Sequence, residues 1–135
     1  MAITYELRGN VLCFTTHGPD EFFDGLRTLE SGFAEASEVS KSNPAHKWHL
    51  LFDVRESTDT RSVSELRDVA ALISANRAVL SGRCAILVSK PAFYALARMF
   101  GVLMDSFGFT TVTRGNEQEA MDWFNATEAR SHGGG

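Results

Sequence analysis

The chain has 135 residues, a formal net charge of −4 and a hydrophobic fraction of 44%, which is typical of one soluble globular domain. Its basic residues are scattered, which argues against a nucleic-acid partner, because phosphate backbones require a concentrated basic surface. No apolar run approaches the roughly 20 residues that span a bilayer. We therefore expect no stable membrane insertion and a cytoplasmic location.

The first third of the chain predicts a β-hairpin followed by a helix. Residues 3–7 alternate apolar and polar side chains, residues 8–10 supply turn chemistry, and residues 11–16 resume an apolar, β-rich run. After this hairpin, Pro19 and two acidic residues suit the first turn of a helix that ends near Glu38. The apolar residues at helical spacing are Phe22, Leu26, Leu29 and Phe33.

The middle of the chain predicts two central strands joined by a helix. Residues 48–54 and 83–89 are short, almost uninterrupted apolar runs, as in strands covered on both faces. Between them, Ser62 opens a helix, and Glu65 three positions later completes a capping box. The apolar stripe of this second helix consists of Leu66, Val69, Ala70 and Ile73.

The last third completes a regular α/β pattern. Pro91 opens a third helix, residues 109–113 form a last strand and residues 116–124 form a short last helix. The order ββαβαβαβα predicts an α/β single domain over residues 1–126. Its five-stranded sheet is mixed and mostly parallel, has helices mainly on one face, and carries the first strand antiparallel at or near an edge. We expect residues 127–135 to form a disordered tail.

The sequence offers no motif for catalysis, a cofactor or a metal. It lacks the glycine-rich loops that bind dinucleotides or phosphates and the nucleophile elbow of hydrolases, so we expect no enzyme and no cofactor. His46 and His49 straddle a loop and a strand start without a companion carboxylate, which does not predict a metal site. Cys13 and Cys84 lie inside apolar runs, which predicts two reduced, buried thiols.

The segment DVRESTDTRSVSEL, residues 53–66, is the polar stretch most open to a functional interpretation. Loops at the carboxyl ends of parallel strands form the usual site of such sheets, and helix N-termini attract anions. The segment is therefore either a polar loop with a helix cap, or an anion or phospho-switch site. The candidate residues are Arg55, Ser57, Thr58, Thr60, Arg61 and Ser62.

The third helix is apolar around most of its circumference. Its polar or small positions fall on one narrow stripe, namely Tyr94, Arg98, Gly101 and Asp105. The remaining, apolar surface of this helix must be covered by another part of the protein or by a binding partner. The cover could be a neighbouring helix or the last helix, through Trp123 and Phe124, a partner chain, or an apolar ligand. The candidate residues for such a ligand or dimer surface are Phe93, Tyr94, Arg98, Met99, Phe100, Leu103, Met104 and Phe107.

These segments resemble a known group of proteins. The order of strands, with LLFDVRESTDTRSVSELRDVA, RCAILVSKPAFYALARMFGVLMDSFGF and EAMDWF, is similar to the small bacterial SpoIIAA-like proteins over about residues 2–126. These belong to the STAS (sulfate transporter and anti-sigma factor antagonist) fold group, which is also compared with CRAL-TRIO lipid-binding domains. The resemblance implies a non-enzymatic module, often switched by phosphorylation near the position of Ser62. The longer loop before Ser62, with its two Arg, departs from that pattern.

Two functions are therefore expected. The first is a bacterial, cytoplasmic regulatory or interaction module of the STAS type, which binds a protein partner. We expect it to form a homodimer through the third helix. Phe100→Asp or Leu103→Asp should then yield folded monomers. The alternative is a small lipid or apolar-metabolite binder that uses the same helix. In that case Arg55, Arg61 and Arg98 would offer head-group contacts.

Overall fold

The computed structural model describes the backbone of residues 3–133 and the side chains of residues 3–126. The elements are β1 (Ile3–Arg8), β2 (Val11–Gly18), α1 (Phe22–Ser42), β3 (Trp48–Ser57), α2 (Val63–Ala75), a 3₁₀ turn (Arg77–Val79), β4 (Leu80–Leu87), α3 (Pro91–Asp105), β5 (Thr110–Arg114) and α4 (Glu117–Gly133). Apart from the short 3₁₀ turn, this order confirms the predicted α/β pattern.

The five strands form one mixed sheet in the order β1-β2-β3-β4-β5. β1 pairs antiparallel with β2 at the edge, and the remaining neighbours pair in parallel, as predicted. Gly9 allows the tight hairpin turn, because its φ of 58° is a conformation that other residues rarely adopt. The parallel strands end on one edge of the sheet, so the loops after β2, β3 and β4 lie near one another.

The helices cover the two faces unequally. Each crossover moves the chain one strand in the same direction, so α1, α2 and α3 lie on the same face, where they enclose the larger core. Helix α4 covers the other face, where Ala120 and Phe124 pack on Val11, Cys13 and Leu51. Of the two helices predicted to cover the third, the neighbouring α2 shares its core, whereas the last helix, with Trp123 and Phe124, lies on the other side of the sheet.

Several boundaries differ from the prediction. Helix α1 begins at Phe22, with Glu21 as its N-cap accepting from the backbone of Asp24 (2.8 Å), so Pro19 and Asp20 precede the helix. The same helix continues to Ser42 before the Asn-Pro loop. Helix α4 runs beyond the predicted end at residue 124. The side chains of residues 127–135 lie outside the described part, so the prediction of a disordered tail there stays a prediction.

Helix α3 is buried on one side and exposed on the other. Phe93, Phe100 and Met104 belong to the core, with Phe100 5% exposed. The prediction that Phe100 contributes to an exposed dimer surface is wrong, because an Asp at this position would place a charge inside the core rather than at a seam. The exposed side carries Tyr94, Met99 and Val102.

Candidate functional site

An apolar cavity of about 150 Å³ lies between the sheet and the helices α1, α2 and α3. Its apolar wall consists of Ile3, Phe14, Phe52, Val54 and Ile86 from the sheet and Leu29, Leu66, Val69, Phe93, Leu96, Ala97 and Phe100 from the helices. Six of these side chains stay only partly buried, namely Ile3, Phe52, Val54, Leu66, Val69 and Leu96. The cavity is therefore not fully enclosed.

Aromatic rings form the floor of the cavity. Phe14 and Phe52 stack with ring centroids 5.5 Å apart, and Phe100 meets Phe52 edge-on at 6.2 Å. Gly32 of α1 permits this arrangement, because a Cβ atom there would lie 2.7 Å from two ring carbons of Phe14. The absent side chain lets α1 pack directly on Phe14 and fixes the position of its ring.

The polar end of the cavity is built from the ends of β2 and β3 and from the loops that follow them. Its lining residues there are Thr16, Asp20, Ser57, Asp59 and Arg61. The Arg61 guanidinium donates to both the carboxylate and the carbonyl oxygen of Asp20, the latter at 3.0 Å, and lies over the ring of Phe22 at 5.4 Å. The backbone amide of Asp20 donates to Asp59 Oδ2 (3.1 Å), so the two loops are tied together.

The carboxyl group of Asp20 lies in an electronegative, partly desolvated position. Burial raises its pKa, and the neighbouring charges of Asp59 and Glu21 raise it further, while the ion pair with Arg61 opposes both. The result is a pKa above the ordinary value, chiefly because burial disfavours the charged form of the carboxyl group.

The structure separates the two Arg of the predicted anion loop. Arg55 lies within β3, which is longer than predicted, and it pairs with Asp53 through two bonds of 2.9 and 2.8 Å. Arg61 lies at the cavity and pairs with Asp20. Burial raises the pKa of Asp53, but the hydrogen bonds from Arg55 outweigh burial and lower it below the usual value. Each guanidinium therefore already has a carboxylate partner.

The hydroxyl groups of the loop have different environments. Ser62 caps α2: its oxygen accepts from the amide of Glu65 (3.1 Å), whose carboxylate accepts from the amide of Ser62 (2.9 Å), which confirms the capping box. Ser57 is buried at the end of β3, and its hydroxyl lies 3.4 Å from the carbonyl oxygen of Asp59. Thr58 and Thr60 are exposed.

The candidate residues of α3 fall on different sides of the helix. Phe93 and Phe100 line the cavity. Met104 is fully buried, and Leu103 and Phe107 are half-buried against the core. Tyr94, Arg98 and Met99 are exposed to solvent. The ligand interpretation and the dimer interpretation of this helix therefore involve different residues.

Sequence reasoning missed three polar residues of the cavity: Thr16, Asp20 and Asp59. Asp20 follows a strand at the functional edge of the sheet, and this position was the available signal. The sequence pattern instead places Asp20 in the first turn of the predicted helix. Thr16 ended an apolar run and gave no signal of its own, because its neighbours across the sheet come from distant segments.

The thiols do not belong to this site. Cys13 and Cys84 are free and buried, as predicted, and burial raises the pKa of both, with a hydrogen bond from Arg8 opposing it at Cys13. Among residues 3–126, no three His, Cys, Asp or Glu side chains are grouped to share a metal ion. No helix in the described part of the chain is long and apolar enough to cross a membrane.

The fold has a counterpart among solved structures. The chain matches the crystal structure of an uncharacterized protein of the DUF3478 family from Shewanella loihica, which is described as having a SpoIIAA-like fold. The TM-score is 0.52 and the sequence identity 17%, over 90% of this chain and 91% of that chain. This likeness shows a SpoIIAA-like fold and confirms the resemblance seen in the sequence. No family model matches the chain, and no curated protein matches it.

Proposed function

We propose that this protein is a non-enzymatic binder of a small lipid or apolar metabolite, which it holds between α2, α3 and the sheet. The observation that supports this proposal is the open apolar cavity of about 150 Å³ with a polar end. Ligand sites are concave and mostly apolar, with a few polar groups that fix orientation. The two free, buried thiols suit a reducing compartment, so we place this function in the bacterial cytoplasm.

The cavity volume sets the size of the ligand. An engineered apolar cavity of about 150 Å³ in another protein stays dry and binds benzene or xenon. A cavity of this size takes one ring or a short branched chain, and a longer chain would have to extend out of it. We therefore expect an apolar group of about six carbon atoms inside, with polar atoms at the end near Asp20.

The polar groups at the cavity favour binding over catalysis. They are the hydroxyls of Thr16 and Ser57, the carboxylates of Asp20 and Asp59, and the Arg61 guanidinium. A nucleophilic hydroxyl requires an adjacent base that is free to take its proton. Here Asp20 is paired with Arg61 and Asp59 holds a backbone amide, so both carboxylates serve the geometry of the loops.

Native mass spectrometry of protein purified without added lipid tests the proposal. A side chain that fills the cavity should exclude the ligand, so the test variant is Ala97→Leu, at a buried lining position. The matched control is Ala95→Leu on the exposed side of the same helix. The expected result is a small mass lost on denaturation in the wild type and in Ala95→Leu but not in Ala97→Leu. An adduct that persists in Ala97→Leu contradicts the site.

A second candidate function is a STAS-type regulatory or protein-interaction module, and one observation favours it. The outer side of α3 exposes Tyr94, Met99 and Val102 by 44, 38 and 72%. We expect a homodimer or partner contact there. Thr58 and Thr60 would be the accessible switch residues, because Ser57 is buried and the Ser62 oxygen caps α2.

Sedimentation velocity tests this second candidate. Val102→Asp should convert a dimer to folded monomers, because it places a charge in the proposed seam without touching the core. A wild-type protein that sediments as a monomer, or a variant with the oligomeric state of the wild type, would contradict a seam on α3.

A further inference from the structure

Strand β5 is an edge of the sheet that lacks the usual protection. It pairs with β4 in regular register, and no other strand in the described part of the chain lies on its far side. Edge strands that stay unpaired often carry Lys, Pro or a bulge. β5, with the sequence TTVTR, has none of these, and only its last residue is charged. Such an edge favours pairing with a further strand.

The backbone of β5 presents two residues to a partner strand. The carbonyl oxygen of Arg114 accepts from the amide of Val88, so the backbone groups of Arg114 face β4. Because these groups alternate in direction along a strand, those of Thr111 and Thr113 face the free edge. In an antiparallel pair of β5 strands centred on Val112, each Thr111 exchanges both backbone hydrogen bonds with the partner's Thr113. The Thr113 carbonyl also accepts from the guanidinium of Arg114 (2.9 Å), which leaves its second lone pair for the partner.

The side chain of Thr111 also lacks a partner at this edge. Its hydroxyl oxygen is buried and has no hydrogen-bond partner among the described residues, although such groups normally have one. Thr111 lies beneath α3, because a Cβ atom at Gly101 would lie 3.7 Å from the Thr111 Cβ. The same strand pairing places the partner's Thr113 opposite Thr111 on this face, and opposed Thr side chains form hydrogen bonds across strands.

Helix α3 carries two charges beside the same edge. Gly101 lies over β5, so the stripe that it shares with Tyr94, Arg98 and Asp105 faces the free edge rather than α2. The side chains of Arg98 and Asp105 are exposed, and neither forms an ion pair with any residue that the structure describes. They are seven positions apart, which is too far for them to pair with each other on one helix.

We infer that a second copy of this chain docks along β5 and α3, related by a two-fold axis that passes near Val112 and between Gly101 and Val102. Antiparallel α3 helices centred there place each Arg98 opposite the partner's Asp105, so the same ion pair forms on both sides of the axis. The two five-stranded sheets become continuous through β5. Val102, which is 72% exposed, lies beside the axis. The inference rests on the homodimer of the second candidate function and gives that dimer its geometry.

Charge exchange tests the pairing of the two helices. Arg98→Asp alone and Asp105→Arg alone each place like charges opposite each other in the dimer, whereas a mixture of the two variants restores opposite charges. By sedimentation velocity at low ionic strength, we expect each variant alone to dimerise about 10- to 100-fold more weakly than the wild type. The equimolar mixture should regain most of that affinity. The matched control is Arg67→Asp on the exposed side of α2, which should neither weaken the dimer nor rescue Asp105→Arg.

A proline substitution tests the pairing of the strands. Because the amide of Thr113 points to the free edge, Thr113→Pro removes a donor of the seam and leaves the hydrogen bonds between β4 and β5 in place. We expect a folded protein by circular dichroism whose dimer is weakened about tenfold or more. The charge exchange tests the seam independently of this variant.

The outcomes separate the inference from the functions proposed above. A wild type that sediments as a monomer overturns the inference together with the homodimer, whereas the ligand function is tested by the retained mass. If the wild type dimerises but the mixed charge variants do not recover affinity, the two-fold register is overturned. Dissociation by Val102→Asp would then keep a seam of another geometry on α3. An undiminished dimer in folded Thr113→Pro overturns the pairing of β5.

Discussion

Two glycine substitutions of opposite expected effect test how closely α1 packs on the cavity floor. A Cβ atom at Gly32 would lie 2.7 Å from Cε1 and Cζ of Phe14 and 3.3 Å from Cγ of Tyr5. A Cβ atom at Gly101 of α3 would meet only Thr111, at 3.7 Å, which is an ordinary contact. Gly32→Ala therefore forces the Phe14 ring to move, whereas Gly101→Ala is accommodated.

The magnitude follows from two contributions to the free energy of unfolding. Both substitutions gain about 0.8–1.0 kcal/mol of helix propensity. Only Gly32→Ala also overpacks the core, which costs about 1–3 kcal/mol. Gly101→Ala should thus be stabilised by about 1 kcal/mol, and Gly32→Ala should range from neutral to about 2 kcal/mol less stable than the wild type. The propensity contribution cancels in the difference between the two variants, which should be about 1–3 kcal/mol.

Urea unfolding followed by far-ultraviolet circular dichroism measures that difference. The displaced ring has free volume beside it, because Phe14 lines the cavity. Gly32→Ala should therefore also weaken benzene binding, whereas Gly101→Ala should not. Equal stabilisation of both variants would refute the close packing of α1 on Phe14.

Two further predictions concern the loop after β3. Ser62→Ala should lower the free energy of unfolding by about 1 kcal/mol, because it removes the oxygen that caps α2. The control Ser64→Ala, within the helix, should be nearly neutral. Equal urea midpoints for the two variants would contradict the capping box. The pKa of Asp53 is lowered in the folded state, so its ion pair with Arg55 contributes stability above the unfolded value of 3.8, and this contribution is lost as pH falls through the lower folded value. The stability advantage over Asp53→Asn should therefore shrink below about pH 4, and an advantage independent of pH would contradict this pairing.

Local patterns in the sequence were sufficient for the elements and their order. The hairpin, the capping box at Ser62 and the helix start at Pro91 depend on neighbours within a few positions, and all three are confirmed. The sheet order followed from the alternation of strands and helices. These features are decided by short-range chemistry and by the handedness of crossovers.

The site itself depended on long-range pairing and could not be predicted in detail. Thr16 and Asp20 meet Asp59 and Arg61 because β2 and β3 pair in parallel, which brings together segments about forty residues apart. The sequence predicts that β3 ends at residue 54, which places both Arg in one loop. Arg55 instead lies in the strand beside Asp53, and only Arg61 reaches the cavity.

The apolar third helix illustrates a different limit. The composition of the helix shows that most of its surface must be buried against other parts of the protein or a partner. Which side of the helix meets the sheet depends on how α2 packs beside it. Phe100 lies in the core and Val102 is exposed, although both are apolar and two positions apart. An apolar cavity that is lined by residues of both α2 and α3 leaves no signature in either helix alone.

An amide NMR titration with benzene tests the central claim most directly. The account predicts saturable shifts at residues around the cavity, such as Val69, Ala97 and Thr16, which are retained in Ala95→Leu and lost in Ala97→Leu. Shifts confined to the exposed side of α3 around Val102, or no shifts at all, would contradict the claim that this fold holds an apolar ligand between α2, α3 and the sheet.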